Sequence, residues 1–90
     1  MIRFQLGQVV ATPGALEALE EAQVGASEYL NRHQSGDFGE VDDEDRAENE
    51  ASLTQGYRVL SAYTLKTGTK IWIITERDRS ATTILLPEEY

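Results

Sequence analysis

Apolar positions alternate along residues 2–6, where Ile2, Phe4 and Leu6 are set against Arg3 and Gln5. A period of two marks a half-buried strand, so the pattern predicts a first strand there. Gly7 and Gln8 interrupt it, and Val9, Val10 and Ala11 either continue it or lead into the next turn. Thr12-Pro13 then reads as a helix start, because threonine caps free amides and proline is tolerated at the first helical position. Ala15, Leu16 and Leu19 share one face and Glu17, Glu20 and Glu21 lie outside, which predicts a helix over residues 13–22. Val24-Gly25 breaks the period. Ser27 is a candidate cap for a second helix, in which Tyr29, Leu30 and His33 stand at helical spacing before Gly36 ends it. Residues 35–41 read as a loop anchored by Phe38. Asp42 caps a third helix, and Asp43, Glu44 and Asp45 place negative charge where a helix N-terminus favours it. Its apolar stripe is weak (Ala47, Ala51, Leu53), and Gly56 is its stop.

The last third changes period. Residues 57–65 are rich in strand formers, residues 66–69 make a short turn around Gly68, and residues 70–75 are apolar on both parities. Such a strand is expected at the centre of a sheet, covered on both faces, with Trp72 in the core. Residues 76–80 form a charged turn, and Thr82 to Leu86 a last strand ended by Pro87. The expected fold is a single α+β domain over residues 1–90 in the order β-α-α-α-β-β-β. An antiparallel sheet of three to four strands is covered on one face by two to three helices.

Composition narrows the possible roles. The chain has no cysteine, which rules out disulfides and thiolate metal sites and fits a reducing cytoplasm. No apolar run is long enough for a signal peptide or a membrane span, so no membrane association is expected. Charge is strongly segregated. Residues 17–50 carry twelve carboxylates against Arg32 and Arg46, a net −10, while the rest of the chain carries +2. A field of this sign repels nucleic acid and attracts basic surfaces. The expected partner is therefore a protein with a basic surface, with no direct nucleic-acid binding, and the domain acts as a monomer or homodimer.

Two blocks are familiar together: Leu6-Gly7-Gln8-Val9-Val10-Ala11-Thr12-Pro13-Gly14-Ala15-Leu16-Glu17-Ala18-Leu19, and residues 70–90 from Lys70-Ile71-Trp72 to Pro87-Glu88-Glu89-Tyr90. Arg32-His33, Gly36-Asp37 and Gly39-Glu40 fit between them. The chain resembles, nearly end to end, a group of short bacterial proteins encoded on plasmids, phages and other mobile elements. Some members of that group carry labels that associate them with restriction–modification systems. The resemblance implies a genomic context rather than an activity or a set of site residues.

Three kinds of chemistry can be placed on these residues. Glu17, Glu20, Glu21, Glu28, Asp42, Asp43, Glu44, Asp45 and Glu48 could form an acidic binding surface that imitates the phosphate track of DNA, which carries about one charge per ~1.7 Å of axis. The plainer reading is a solvated acidic face with helix-start chemistry at residues 42–45. An alternative site is built on His33, the only histidine, with Asp37 and Glu40 nearby for acid–base work and Arg77, Arg79 and Thr82 to hold a phosphate. That set describes a small ribonuclease or toxin-like enzyme. Against it, a ribonuclease needs a basic cleft, and one histidine near a helix end usually interacts only with the helix dipole. The acids also fail the spacing of a calcium loop, so no metal or other cofactor is expected. The leading expectation is a non-catalytic protein-binding module, with a nucleic-acid mimic acting on restriction or CRISPR enzymes as its specific form. A dimeric regulatory subunit joined through an exposed sheet edge is the third.

Overall fold

The computed structural model describes residues 2–90. The elements are β1 (Gln8–Ala11), α1 (Pro13–Ala22), α2 (Ala26–Ser35), α3 (Asp43–Gln55), β2 (Val59–Thr64), β3 (Lys70–Thr75) and β4 (Ala81–Leu85), closed by a 3₁₀ turn at Pro87–Glu89. The Thr12 hydroxyl accepts from the Ala15 amide and the Asp42 carboxylate from the Asp45 amide, the two side-chain caps the sequence predicts. Each such cap contributes about 1 kcal/mol. Helix α2 differs: it starts one residue ahead of Ser27, and its cap residue, Gly25, offers no side-chain oxygen.

The sheet order is β1-β4-β3-β2. Strands β2, β3 and β4 form the expected antiparallel meander, with Val59 opposite Thr75 and Thr75 opposite Thr82. Strand β1 joins β4 in parallel, with Val9 beside Thr82 and Ala11 beside Ile84. This register assigns the two faces. Val59, Ser61, Tyr63, Ile71, Ile73, Thr75, Thr82 and Ile84 point one way, and all eight are buried. Ala15, Leu19 and Tyr29 of α1 and α2 close over that face to form the core. On the other face, Leu60, Trp72 and Thr83 are only half-buried, and Trp72 packs edge-on against Tyr90 at 5.6 Å between ring centroids. Trp72 is thus not the core residue expected from its strand.

The first strand is displaced from where the alternation puts it. Residues 2–7 form a strap outside the sheet, and pairing begins at Gln8. The Arg3 amide donates to Gln34 O, Gln34 Nε2 to Phe4 O, and the Thr82 hydroxyl to Leu6 O. Phe4 and Leu6 are half-buried, so the period of two arises from side chains alternately facing the domain along this strap. Gly7 makes the transition at φ +66°, where a Cβ would fall on the backbone of Arg79 and Ser80.

Helix α3 also differs from expectation. Its buried residues are Asn49 and Ser52, while Ala47 is exposed and Ala51 and Leu53 are half-buried. It docks by hydrogen bonds along the outer edge of β2. Asn49 Nδ2 donates to Leu60 O at 2.7 Å, and the Leu60 amide donates to Asn49 Oδ1 at 3.1 Å. The next outward-facing pair on β2 is met by the 38–40 segment: the Ala62 amide donates to Phe38 O and the Glu40 amide to Ala62 O. Gly39 lies so close, at φ +74°, that a Cβ would overlap Ala62 O. One free edge of the sheet is thereby covered, the usual defence against strand addition.

Candidate functional site

His33 stands on the inward face of α2, one turn after Tyr29, and is fully buried. Its Nδ1 is 2.6 Å from Ser61 Oγ and its Nε2 is 2.8 Å from Thr75 Oγ1. Thr75 Oγ1 is 2.8 Å from Thr82 Oγ1, which donates to Leu6 O at 2.7 Å. The final acceptor orders every proton in this chain. Thr82 gives its proton to a carbonyl, so it must accept from Thr75; Thr75 must then accept from His33. A neutral imidazole with its proton on Nε2 follows, and Ser61 donates to Nδ1. Burial, with Arg79 adding to it, lowers the His33 pKa to about 4. The Phe4 ring closes the site edge-on at 5.1 Å. His33 therefore cross-links α2, three strands and the N-terminal strap through β2, β3 and β4 hydroxyls, and it has no exposed atom to offer a substrate.

Of the rest of the alternative site, Thr82 joins the His33 chain and Arg79 lies near enough to act on its charge, while Asp37, Glu40 and Arg77 stay outside. Asp37 is exposed and paired with Arg32 at 2.8 Å, which holds its carboxyl below the usual range. Glu40 accepts from the Thr64 hydroxyl at the β2 edge. Arg77 is exposed, whereas Thr82 is buried in the His33 chain. Arg79 is occupied: Nη1 donates to Tyr57 O and Glu76 O, and Nη2 to Ser52 O. It brings positive charge to the C-terminal end of α3, which has no basic residue in its last turn. Among the described residues, no group of three or more metal-ligating side chains is placed to hold an ion.

The nine predicted surface acids fare differently. Eight are exposed, and Asp45 is half-buried. The ion pairs among the described residues join Arg3 to Glu50 and Arg32 to Asp37, so none of the nine is neutralised. They fall into separate groups. Helix α1, with Glu17, Glu20 and Glu21, packs on β4, α2 carries Glu28, and α3, with Asp43, Glu44, Asp45, Glu48 and its cap Asp42, borders β2. Those strands are two positions apart, about 10 Å across the sheet. The α3 group is the densest, with five carboxylates over six residue steps, or about 9 Å of helix.

Sequence reasoning missed Asn49, Ser61 and Thr75. The last two carried a signal: in strands of period two they share parity with Tyr63, Ile71 and Ile73, so buried hydroxyls were implied. Asn49 had none, since it depends on where α3 docks. No protein-family model, curated protein or solved structure matches this chain. No helix among the described residues is long and apolar enough to cross a membrane.

Proposed function

We propose that this domain is a non-catalytic protein-binding module that presents the carboxylates of α3 to a basic surface on a protein partner. The observation that carries the reading is the state of Asp42, Asp43, Glu44, Asp45 and Glu48, which have no arginine or lysine partner among the described residues. Their linear density, roughly one charge per 2 Å of helix, is close to that of duplex DNA. A partner whose basic groove normally holds a phosphate backbone fits this chemistry, and the resemblance to mobile-element proteins points to restriction or CRISPR enzymes of the host. Association of this kind is fast and weakens with salt. The test is the affinity of such an effector for wild type and for a double variant, Asp43→Lys with Glu44→Lys. Asp42 is left intact because it caps the helix. A loss of roughly tenfold or more is expected for two reversed charges, and unchanged affinity removes α3 from the account.

A second reading is favoured by one observation, the open edge of β1. The Gln8 and Thr12 amides donate to β4, which turns the Val9 and Ala11 amides outward. Val9 and Val10 are each 42% exposed, and among the described residues nothing corresponding to Asn49 covers them. Pairing of two β1 edges would make a dimer with a continuous sheet. Light scattering on the purified chain decides this: the dimer reading requires twice the monomer mass for wild type and monomer mass for Val9→Lys, and a monomeric wild type removes it.

A further inference from the structure

Between α3 and β2 runs a groove of about 420 Å³, a size in the range of small-ligand and side-chain sockets. Its composition is not that of a plain acidic surface. Leu60 and Ala51 line its apolar part, and Tyr57, 49% exposed, contributes an aromatic side chain. Asp45 and Glu48 line it from α3, three residues apart and so on one face of the helix. Arg58 also lines the groove, with its guanidinium over the Tyr90 ring, 5.4 Å from the centroid, and Arg79 is engaged with the Tyr57 and Ser52 carbonyls. No ion pair joins either arginine, or any other base among the described residues, to Asp45 or Glu48. Two carboxylates, an aromatic ring and an aliphatic surface therefore border one unfilled space, with Arg58 beside them but paired to neither carboxylate.

We propose that this groove is a socket for an arginine side chain of the protein partner. The proposal deepens the reading of α3 as a binding surface and rests on it. An arginine suits each part of the lining. Its methylene stem covers Leu60 and Ala51, as long cationic side chains do on apolar surfaces. Its planar guanidinium stacks on Tyr57 and can donate to both carboxylates at once. A lysine offers a compact, strongly hydrated charge with no plane to stack, so arginine is the preferred occupant. The free energy of contact would then concentrate at one anchor, in the manner of interface hot spots.

The experiment is a nitrogen–proton NMR titration of the whole chain with a hexa-arginine peptide, and in parallel with hexa-lysine, at about 150 mM salt to screen long-range attraction. The expected result is a set of shifts centred on Asp45, Glu48, Tyr57 and Leu60, with arginine binding tighter than lysine. Neutralising the socket by Asp45→Asn with Glu48→Gln weakens hexa-arginine by at least roughly fivefold, the sum of two partly exposed charge contacts. Removing the same charge outside it, by Asp43→Asn with Glu44→Gln, changes the affinity by less than about twofold. Tyr57→Ala, which alters no charge, also weakens arginine and erases its advantage over lysine. Thermal melts confirm that each variant is folded. Shifts spread equally over α1 and α3, equal losses from the two charge pairs, or indifference to Tyr57→Ala would each overturn the socket. Those results would leave the general acidic surface standing, since that reading is judged by effector binding to the Asp43→Lys, Glu44→Lys variant.

Discussion

Replacing His33 with alanine lowers the free energy of unfolding by about 3–5 kcal/mol, enough to move the melting temperature of a chain this size by roughly 15 °C or more. The substitution opens a cavity at a position with no solvent exposure. It also strips Ser61 of its acceptor and Thr75 of its donor, leaving both hydroxyls in an apolar layer. His33→Gln, which keeps one donor and one acceptor, recovers part of the loss. The same residue gives the domain an acid sensitivity of definite sign. Folding holds His33 neutral down to a pKa of about 4, against about 6.5 in the unfolded chain. Between those values the unfolded state binds more protons, so stability rises with pH there. It is complete above pH 6.5 and falls by about 3 kcal/mol as the pH drops to 4. Asp37 and Glu50, held below the ordinary carboxyl range by Arg32 and Arg3, begin to lose their contributions as the pH falls through that ordinary range and lose the rest below it. Denaturant titrations at pH 7 and pH 4.5 check this: wild type loses stability between them, and His33→Ala shows no such slope. A wild type equally stable at both values would mean that His33 is not held neutral.

Asn49→Ala destabilises the domain by about 2 kcal/mol and loosens α3 more than any other element. Most helices are held by an apolar stripe, but the only fully buried side chains of α3 are Asn49 and Ser52. Ser52 spends its hydroxyl on its own helix, at Glu48 O. Asn49 is the α3 side chain that supplies both a donor and an acceptor to the outer edge of β2. Removing that amide leaves Leu60 N–H and C=O unpaired and opens a strand edge to other chains. Hydrogen exchange should show the amides of α3 losing protection while those of β3 and β4 keep theirs, with increased self-association at high concentration. Asn49→Asp retains the acceptor and falls between the two. Unchanged protection of α3 in Asn49→Ala would show that Arg79, Arg3 and the Arg46 contact to Gly39 O suffice to hold it.

Local chemistry made most of the architecture legible. Thr12-Pro13 and Asp42 fix their helix starts because caps and proline act within one turn, and the two-sided apolar run at residues 70–75 correctly placed β3 inside the sheet. Apart from the cap of α2, which is Gly25 and not Ser27, the failures are long-range. The alternation of Phe4 and Leu6 records packing of a strap against α2 and the β3–β4 turn, which no local period distinguishes from a strand, while Ile2 is exposed. Parallel pairing of β1 with β4 depends on where the chain returns after three helices. The polar docking of α3 depends on one asparagine meeting an unpaired strand edge. For the candidate sites, exposure of the acids was legible from their helical positions. Their division between α1 and α3 was not, because it follows from which strands those helices border. His33 was read as an acid–base residue or a partner of the helix dipole; its burial among the Ser61 and Thr75 hydroxyls, which no local pattern foretells, gives it a structural place instead.

The most direct test of the functional account is competition between this protein and duplex DNA for one restriction or CRISPR effector. The account predicts that DNA displaces the protein at concentrations near the effector's own DNA affinity, and that the complex weakens steeply with added salt. Simultaneous binding of DNA and protein, with an affinity that salt leaves unchanged, would contradict it.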